Sequence, residues 1–220
     1  MGLPTPSTNH LSQRKYETVY EPAEDTYLLL DALENDQSLL HEQKPTVCVE
    51  IGSGSGCVSA FLAQVLDPHS ALILSTDINP AANIATHETI SSNNSRGGSC
   101  CVSDQIRTRF VQSMDGRLRG KIDVLLFNPP YVVTPSEEID VTSEASAWAG
   151  GKHGREVLDR LLPDVASMLA PRGRFYLVVI EQNKPEDIIS QLHRDGLVGE
   201  RVLSRKAGRE HLSIIRFIKP

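Results

Sequence analysis

The stretch "TVCVEIGSGSGCVSAFLAQVL", residues 46–66, constrains the fold more than any other. A short apolar run ends in an acid, Glu50, and glycines then recur at Gly52, Gly54 and Gly56 before an apolar segment of helical length. A short apolar run bounded by turn residues is a buried strand, and a strand that feeds directly into a helix builds a parallel crossover. Glycines at the junction allow the sharp turn and let a ligand come close to the main chain.

The alternation continues along the chain. Strands are expected at 46–51, 71–78, 109–114, 121–127, 173–180, 198–204 and 211–218, with helices at 22–36, 56–66, 80–91, 154–169 and 184–196. Glu24 and Asp25 favour the positive end of the first helix, and Pro163 is expected to kink or split its own. The last two strands have no helix between them, so they pair as a hairpin. The expected fold is α/β: a doubly wound, mostly parallel seven-stranded sheet with an antiparallel last strand. Residues 20–220 form one domain in this reading, residues 1–19 a flexible N-terminal extension, and "SSNNSRGGS" (91–99) a polar loop.

Composition narrows the class of partner. A net charge of −6 argues against nucleic acid, whose phosphates call for clustered Lys and Arg. No run approaches the ~18 apolar residues of a membrane helix, and the first 20 residues lack the apolar core of a signal peptide. Cys48, Cys57, Cys100 and Cys101 form no C-x-x-C pair and the histidines are scattered, so no metal site is expected. The setting is a reducing one, cytoplasmic or nuclear.

The glycine spacing is acid-x-G-x-G-x-G. A dinucleotide loop, G-x-G-x-x-G/A, would need Gly or Ala where Cys57 stands. An acid beside the glycines suits a ligand carrying an amine and a sulfonium instead of a pyrophosphate. The pattern resembles the first motif of class I S-adenosylmethionine (SAM) methyltransferases. Asp77 ends the second strand, where a carboxylate can accept hydrogen bonds from both hydroxyls of a ribose; its "DINP" context would equally suit a helix cap.

A second feature is "VLLFNPPYVVTP", residues 124–135. Prolines cannot continue a central strand, so the chain is held in a rigid, extended turn at the lip of the sheet, where ligands of open α/β folds bind. The nitrogen of an amide or an adenine amino group is a poor nucleophile because its lone pair is delocalised. Two fixed acceptors, the Asn128 side-chain oxygen and the Pro129 carbonyl, would hold its two N–H bonds and favour the pyramidal geometry needed for methyl transfer. Pro130 keeps the spacing rigid, and the ring of Tyr131 suits a planar group.

With "YEPAEDT", "EIGSGSG", "TDINP" and "FNPPYV" in order, the chain resembles the HemK-like protein-glutamine N5-methyltransferases over roughly residues 16–218. It is most similar to their eukaryotic branch, which modifies the glutamine of the Gly-Gly-Gln motif in the class 1 translation termination factor. "WAGGKHGREVLDRLLP" (148–163) is similar to the family's segment after the catalytic turn. The resemblance implies that Glu50 and Gly52, with Gly54 and Gly56 completing the loop, meet the methionine part of SAM. It also implies Asp77 at the ribose, Thr26 beside the cofactor and Asn128 at the substrate amide. Relatives carry an acid-leucine pair near the adenine after strand three; Ser113–Met114 is placed there. Trp148 lines the substrate side or is simply packed. A small zinc-binding activator subunit is implied as partner, covering an apolar sheet edge, with "ALILSTDI" the segment apolar enough to need covering. The same clamp also suits N6 of adenine in nucleic acid, against the acidic balance. Lysine in histones is a third acceptor, although its amine needs deprotonation and no support for a delocalised pair.

Overall fold

The computed structural model describes residues 2–94, 101–138 and 149–220. Helices α1 (Glu24–Asn35) and α2 (Gln37–Gln43) precede strand β1 (Val47–Ile51), followed by α3 (Cys57–Leu66), β2 (Leu72–Asp77) and α4 (Pro80–Asn94). Next come β3 (Val102–Arg107), the short α5 (Asp115–Leu118) and β4 (Ile122–Phe127). The chain ends with α6 (Glu156–Met168), β5 (Leu169–Ile180), α7 (Pro185–Arg194), β6 (Val198–Ala207) and β7 (Glu210–Ile218). The seven strands form one sheet in the order β3-β2-β1-β4-β5-β7-β6. The first five are parallel, and β7 runs antiparallel to both β5 and β6.

The central strands are buried on both faces, which explains their unbroken apolar runs. Along β4, Val124 and Leu126 face the core built with α1, α2 and α3. Leu125 and Phe127 point the other way, toward Leu158, Leu161 and Leu162 of α6 and Ile188 and Leu192 of α7. This period-two division fixes the register of the sheet, because a one-residue slip would put each apolar set on the wrong side. Pro163 lies within α6 without dividing it.

Strand three lies earlier than the apolar pattern predicts. β3 is the polar "VSDQIR", an edge strand with mostly exposed or half-buried residues, so it lacks the apolar run that marks an interior strand. The residues expected to form it turn instead, with Val111 buried and Phe110 and Met114 packed against the second core. The end of α4 also differs, and one helix is additional. Residues 91–94 complete α4, while the rest of the expected polar loop up to 99 lies outside the described residues. α2 was not foreseen at all.

The segment before residue 20, expected as a flexible extension, is docked. Leu11, Tyr16 and Val19 are buried in a small cluster with Ala82 and Ala85 of α4. Ser7 and Asn93 exchange backbone-to-amide hydrogen bonds at 2.9 and 3.0 Å. This docking carries Thr18–Tyr20 to the carboxyl ends of the strands, where the order of strand addition reverses between β1 and β4 and a crevice must open.

Candidate active site

A cavity of about 370 Å³ fills that crevice. Its lining joins the loop after β1, the ends of β2 and β4, the start of α1 and the turn after β3. The volume falls within the usual range for small-molecule sites, about 300–1,000 Å³.

The glycine loop is shaped by backbone geometry. Gly52 and Gly54 adopt φ of 67° and 48°, in the left-handed region that side chains disfavour. The Gly52 and Ser53 amides donate to the Thr76 carbonyl at 2.7 and 3.1 Å, stitching the loop to β2. The Gly54 amide donates to Asp77 Oδ2 at 3.0 Å, and Asp77 Oδ1 accepts from the Asn79 amide at 2.8 Å. The cap of α4 is therefore Asn79, whose Oδ1 accepts from the Ala81 amide at 2.9 Å, while Asp77 braces the glycine loop and faces the cavity. Burial raises the Asp77 pKa, against the opposing effect of these amides.

Gly56 does not line the cavity. A Cβ there would lie 2.5 Å from the Thr86 Cα, so this glycine permits α3 and α4 to pack closely. Ser113 and Met114 are likewise outside the lining, because β3 ends at Arg107. The residues that enter from this turn are Thr108, Arg109 and Phe110, with Phe110 edge-on to Phe127 at 6.2 Å between ring centroids.

Glu50 closes the deep end. It is buried, accepts from Ser59 Oγ, and Ser59 in turn bonds Ser75 Oγ at 2.7 Å. Burial pushes its pKa up to about 8, with the Ser59 hydrogen bond acting in the opposite direction.

The Asn-Pro-Pro-Tyr turn after β4 is organised by a residue that its sequence context marks only as a helix-favouring acid. Asp25 is 2% exposed, and its carboxylate accepts from the Thr26 amide at 2.7 Å, Asn128 Nδ2 at 3.0 Å, Tyr131 Oη at 3.1 Å and Tyr20 Oη at 3.2 Å. A carboxylate can only accept here, so Asn128 must turn its NH2 toward Asp25. Its Oδ1 is left buried without a hydrogen-bond partner among the described residues, and Asn128 itself lines the cavity. Buried acceptors are rarely left unpaired, and one at a cavity wall marks where a donor belongs. Tyr131 also lines the cavity; burial and Asp25 raise its pKa strongly, which keeps the hydroxyl protonated as a donor. Pro129 and Pro130 line the same wall. Thr26 lines it too, and its Oγ1 accepts from the Ala23 amide at 3.3 Å, closing the first turn of α1. Val157 and Arg160 of α6 and Glu210 of β7 complete the lining; none of these has a local sequence signal. The carboxylate next to Thr26 in "AEDT" was the available clue to Asp25. Trp148 lies outside the described residues.

Fold and site together define a class I methyltransferase. The profile of the methyltransferase small domain family matches residues 23–198. Over 99% of this chain and 98% of the relative, the sequence is 46% identical to "Methyltransferase HEMK2" of Mus musculus. It is 39% identical to "eRF1 methyltransferase catalytic subunit mtq2" of Schizosaccharomyces pombe, over 99% of this chain and 96% of that one. Among solved structures, the E. cuniculi Mtq2–Trm112 complex, described as methylating the eRF1 translation termination factor, matches with a TM-score of 0.64. The match is 27% identical and covers 92% of this chain and 99% of that one. The chain belongs to the methyltransferase small domain family, in its HemK-like branch.

The cofactor is S-adenosylmethionine, and the cavity fits it. It offers a buried acid at Glu50 for cationic groups, Asp77 for hydroxyls and the aromatic Phe110 for a flat ring. Burial raises the Glu50 pKa and a cationic ligand favours the carboxylate, so if Glu50 holds the cationic part of the cofactor, binding below pH 8 should release a proton. SAM affinity should therefore rise with pH, by at most about tenfold per unit, and level off above about 8. Calorimetry across pH 6–9 checks this, and Glu50→Gln should flatten that part of the slope.

Proposed function

We propose that the chain methylates the side-chain amide nitrogen of a glutamine in a protein, namely the Gly-Gly-Gln motif of the class 1 translation termination factor. The observation that carries this reading is the buried, unpartnered Oδ1 of Asn128, a residue that lines the cavity and whose Nδ2 is held by Asp25. Bound SAM supplies an electrophilic methyl group. Asn128 Oδ1 accepts one N–H of the incoming amide and the Pro129 carbonyl accepts the other. Held this way, the nitrogen loses conjugation with its carbonyl and its lone pair becomes directional, the state the transfer requires. On transfer the amide nitrogen would gain the methyl carbon as that carbon's bond to the sulfonium sulfur breaks, leaving S-adenosylhomocysteine, and one of its two N–H protons would pass to solvent. The full-length similarity to an eRF1 methyltransferase catalytic subunit supports the same substrate class.

The reading includes a partner subunit, proposed to be a small zinc-binding protein; the solved relative is itself a complex of two proteins, Mtq2 and Trm112. "ALILSTDI" is not itself a free edge, since β2 lies between β1 and β3. The edge strand on this side of the sheet is β3, where Val102 is 67% exposed beside exposed Leu72 of β2, with exposed Ile78 and Ile84 on the adjoining segments. An edge with free backbone groups and exposed apolar side chains suits a partner that adds to it.

Asn128→Ala should lower the methyl-transfer rate to the termination factor by about 100-fold or more, with SAM affinity unchanged. Asp77→Ala should weaken SAM affinity itself by about tenfold. Mass spectrometry of the substrate and calorimetry of the cofactor separate the two, and a rate within a few-fold of wild type in Asn128→Ala would refute the clamp. At the edge, Val102→Glu combined with Ile84→Glu should abolish co-purification of the zinc-binding subunit. Stoichiometric retention would place the partner elsewhere.

A further inference from the structure

Behind the Asn-Pro-Pro-Tyr turn lies a second carboxamide that the catalytic scheme does not use. Asn183 closes a single 3₁₀ turn (Glu181–Asn183) after β5 and is 1% exposed. Its Nδ2 lies 3.1 Å from the Tyr131 carbonyl, 3.0 Å from that of His153 and 3.1 Å from that of Gly154. Its Oδ1 accepts from the Ile180 amide at 2.8 Å, which fixes which end of the carboxamide faces the three carbonyls. One buried side chain thus joins the catalytic turn, the glycine turn before α6 and the end of β5.

The surrounding backbone is built to allow this. Gly154 adopts φ of 64°, and a Cβ there would fall 1.9 Å from the Tyr131 oxygen and 2.7 Å from Asn183 Nδ2. A Cβ on Gly150 would fall 2.6 Å from the Gly154 oxygen. Residues 131–134 lie alongside 149–151, with the Gly150 amide donating to the Val132 carbonyl at 2.8 Å and the Thr134 amide to that of Gly151 at 3.2 Å. Arg155 Nη1 donates to the Asn183 carbonyl at 3.2 Å, so the same point also holds the first residues of the α6 region, whose Val157 and Arg160 form a wall of the cavity.

We infer that Asn183 is a positioning residue for methyl transfer: by holding the Tyr131 carbonyl and the 153–154 turn at once, it sets the spacing of Asn128 and Pro129 against the α6 wall. This rests on the clamp reading given above. Asp25 fixes the Asn128 side chain from the front, and Asn183 fixes the backbone of the same turn from behind. A two-residue lever separates the Tyr131 carbonyl from that of Pro129. A slack turn would misplace the second acceptor while the cofactor's own contacts, on the glycine loop and β2, stay intact.

The test compares wild type, Asn183→Ala and Asn183→Asp in the full chain with its partner subunit. Asn183→Asp keeps the acceptor for the Ile180 amide and removes the NH2, so it remains informative if the alanine variant folds poorly. In both variants kcat for the termination factor should fall at least 30-fold, with KM and the Kd for S-adenosylhomocysteine within about threefold of wild type. Hydrogen–deuterium exchange in the S-adenosylhomocysteine complex should rise in the 129–134 segment and remain unchanged in 50–58. Wild-type kcat together with unchanged exchange at 129–134 overturns the inference, as does a uniform rise in exchange with equal losses in cofactor affinity and kcat. If the wild-type chain leaves the termination factor unmethylated, the proposed substrate fails, and the exchange comparison still decides the role of Asn183.

Discussion

The hydrogen bond from Asn128 Nδ2 to the buried carboxylate of Asp25 is the interaction on which the site depends. An asparagine side chain can present either end, and only its oxygen serves to hold a donor on a substrate. A carboxylate accepts and does not donate, so Asp25 removes the choice. The two tyrosine hydroxyls and the Thr26 amide that share Asp25 compensate its burial and hold it in place. The result is an acceptor oriented before any substrate arrives, which is the form of preorganisation that is most effective in a water-poor pocket.

That interaction joins residues 103 positions apart in sequence, and topology makes it possible. The sheet reverses its direction of growth between β1 and β4, which leaves the glycine loop and the Asn-Pro-Pro-Tyr turn as neighbours at the mouth. The first turn of α1 reaches the same mouth and supplies Asp25. The docked N-terminal segment brings Tyr20, and the β6–β7 hairpin brings Glu210. The glycine loop with the end of β2, and the turn after β4, thus reach one cavity from different elements of the sheet.

Much of this was legible before the fold was known, and the failures have physical causes. Central strands announced themselves because burial on both faces demands continuous apolar runs, and the glycine and proline motifs announced themselves because few other residues can take those backbone shapes. β3 did not, because an edge strand faces solvent and its sequence is polar. Misplacing it put the expected adenine contacts at Ser113–Met114, whereas the turn that lines the cavity is Thr108–Phe110. Gly56 carried the spacing of a cofactor loop but serves helix packing, a distinction that depends on Thr86 thirty residues away. Asp25 was hidden by its place at a helix start, where an acid has an ordinary explanation. Asn183 had no local signal, since all its partners come from distant segments or the backbone.

The most direct test of the account is the single-turnover methyl-transfer rate of Asp25→Ala at saturating SAM, with S-adenosylhomocysteine affinity measured in parallel. If Asp25 acts by orienting Asn128, the rate should fall on the order of 100-fold while the affinity stays near that of wild type. A wild-type rate in a variant lacking that carboxylate would show that the oxygen of Asn128 is aimed by something else.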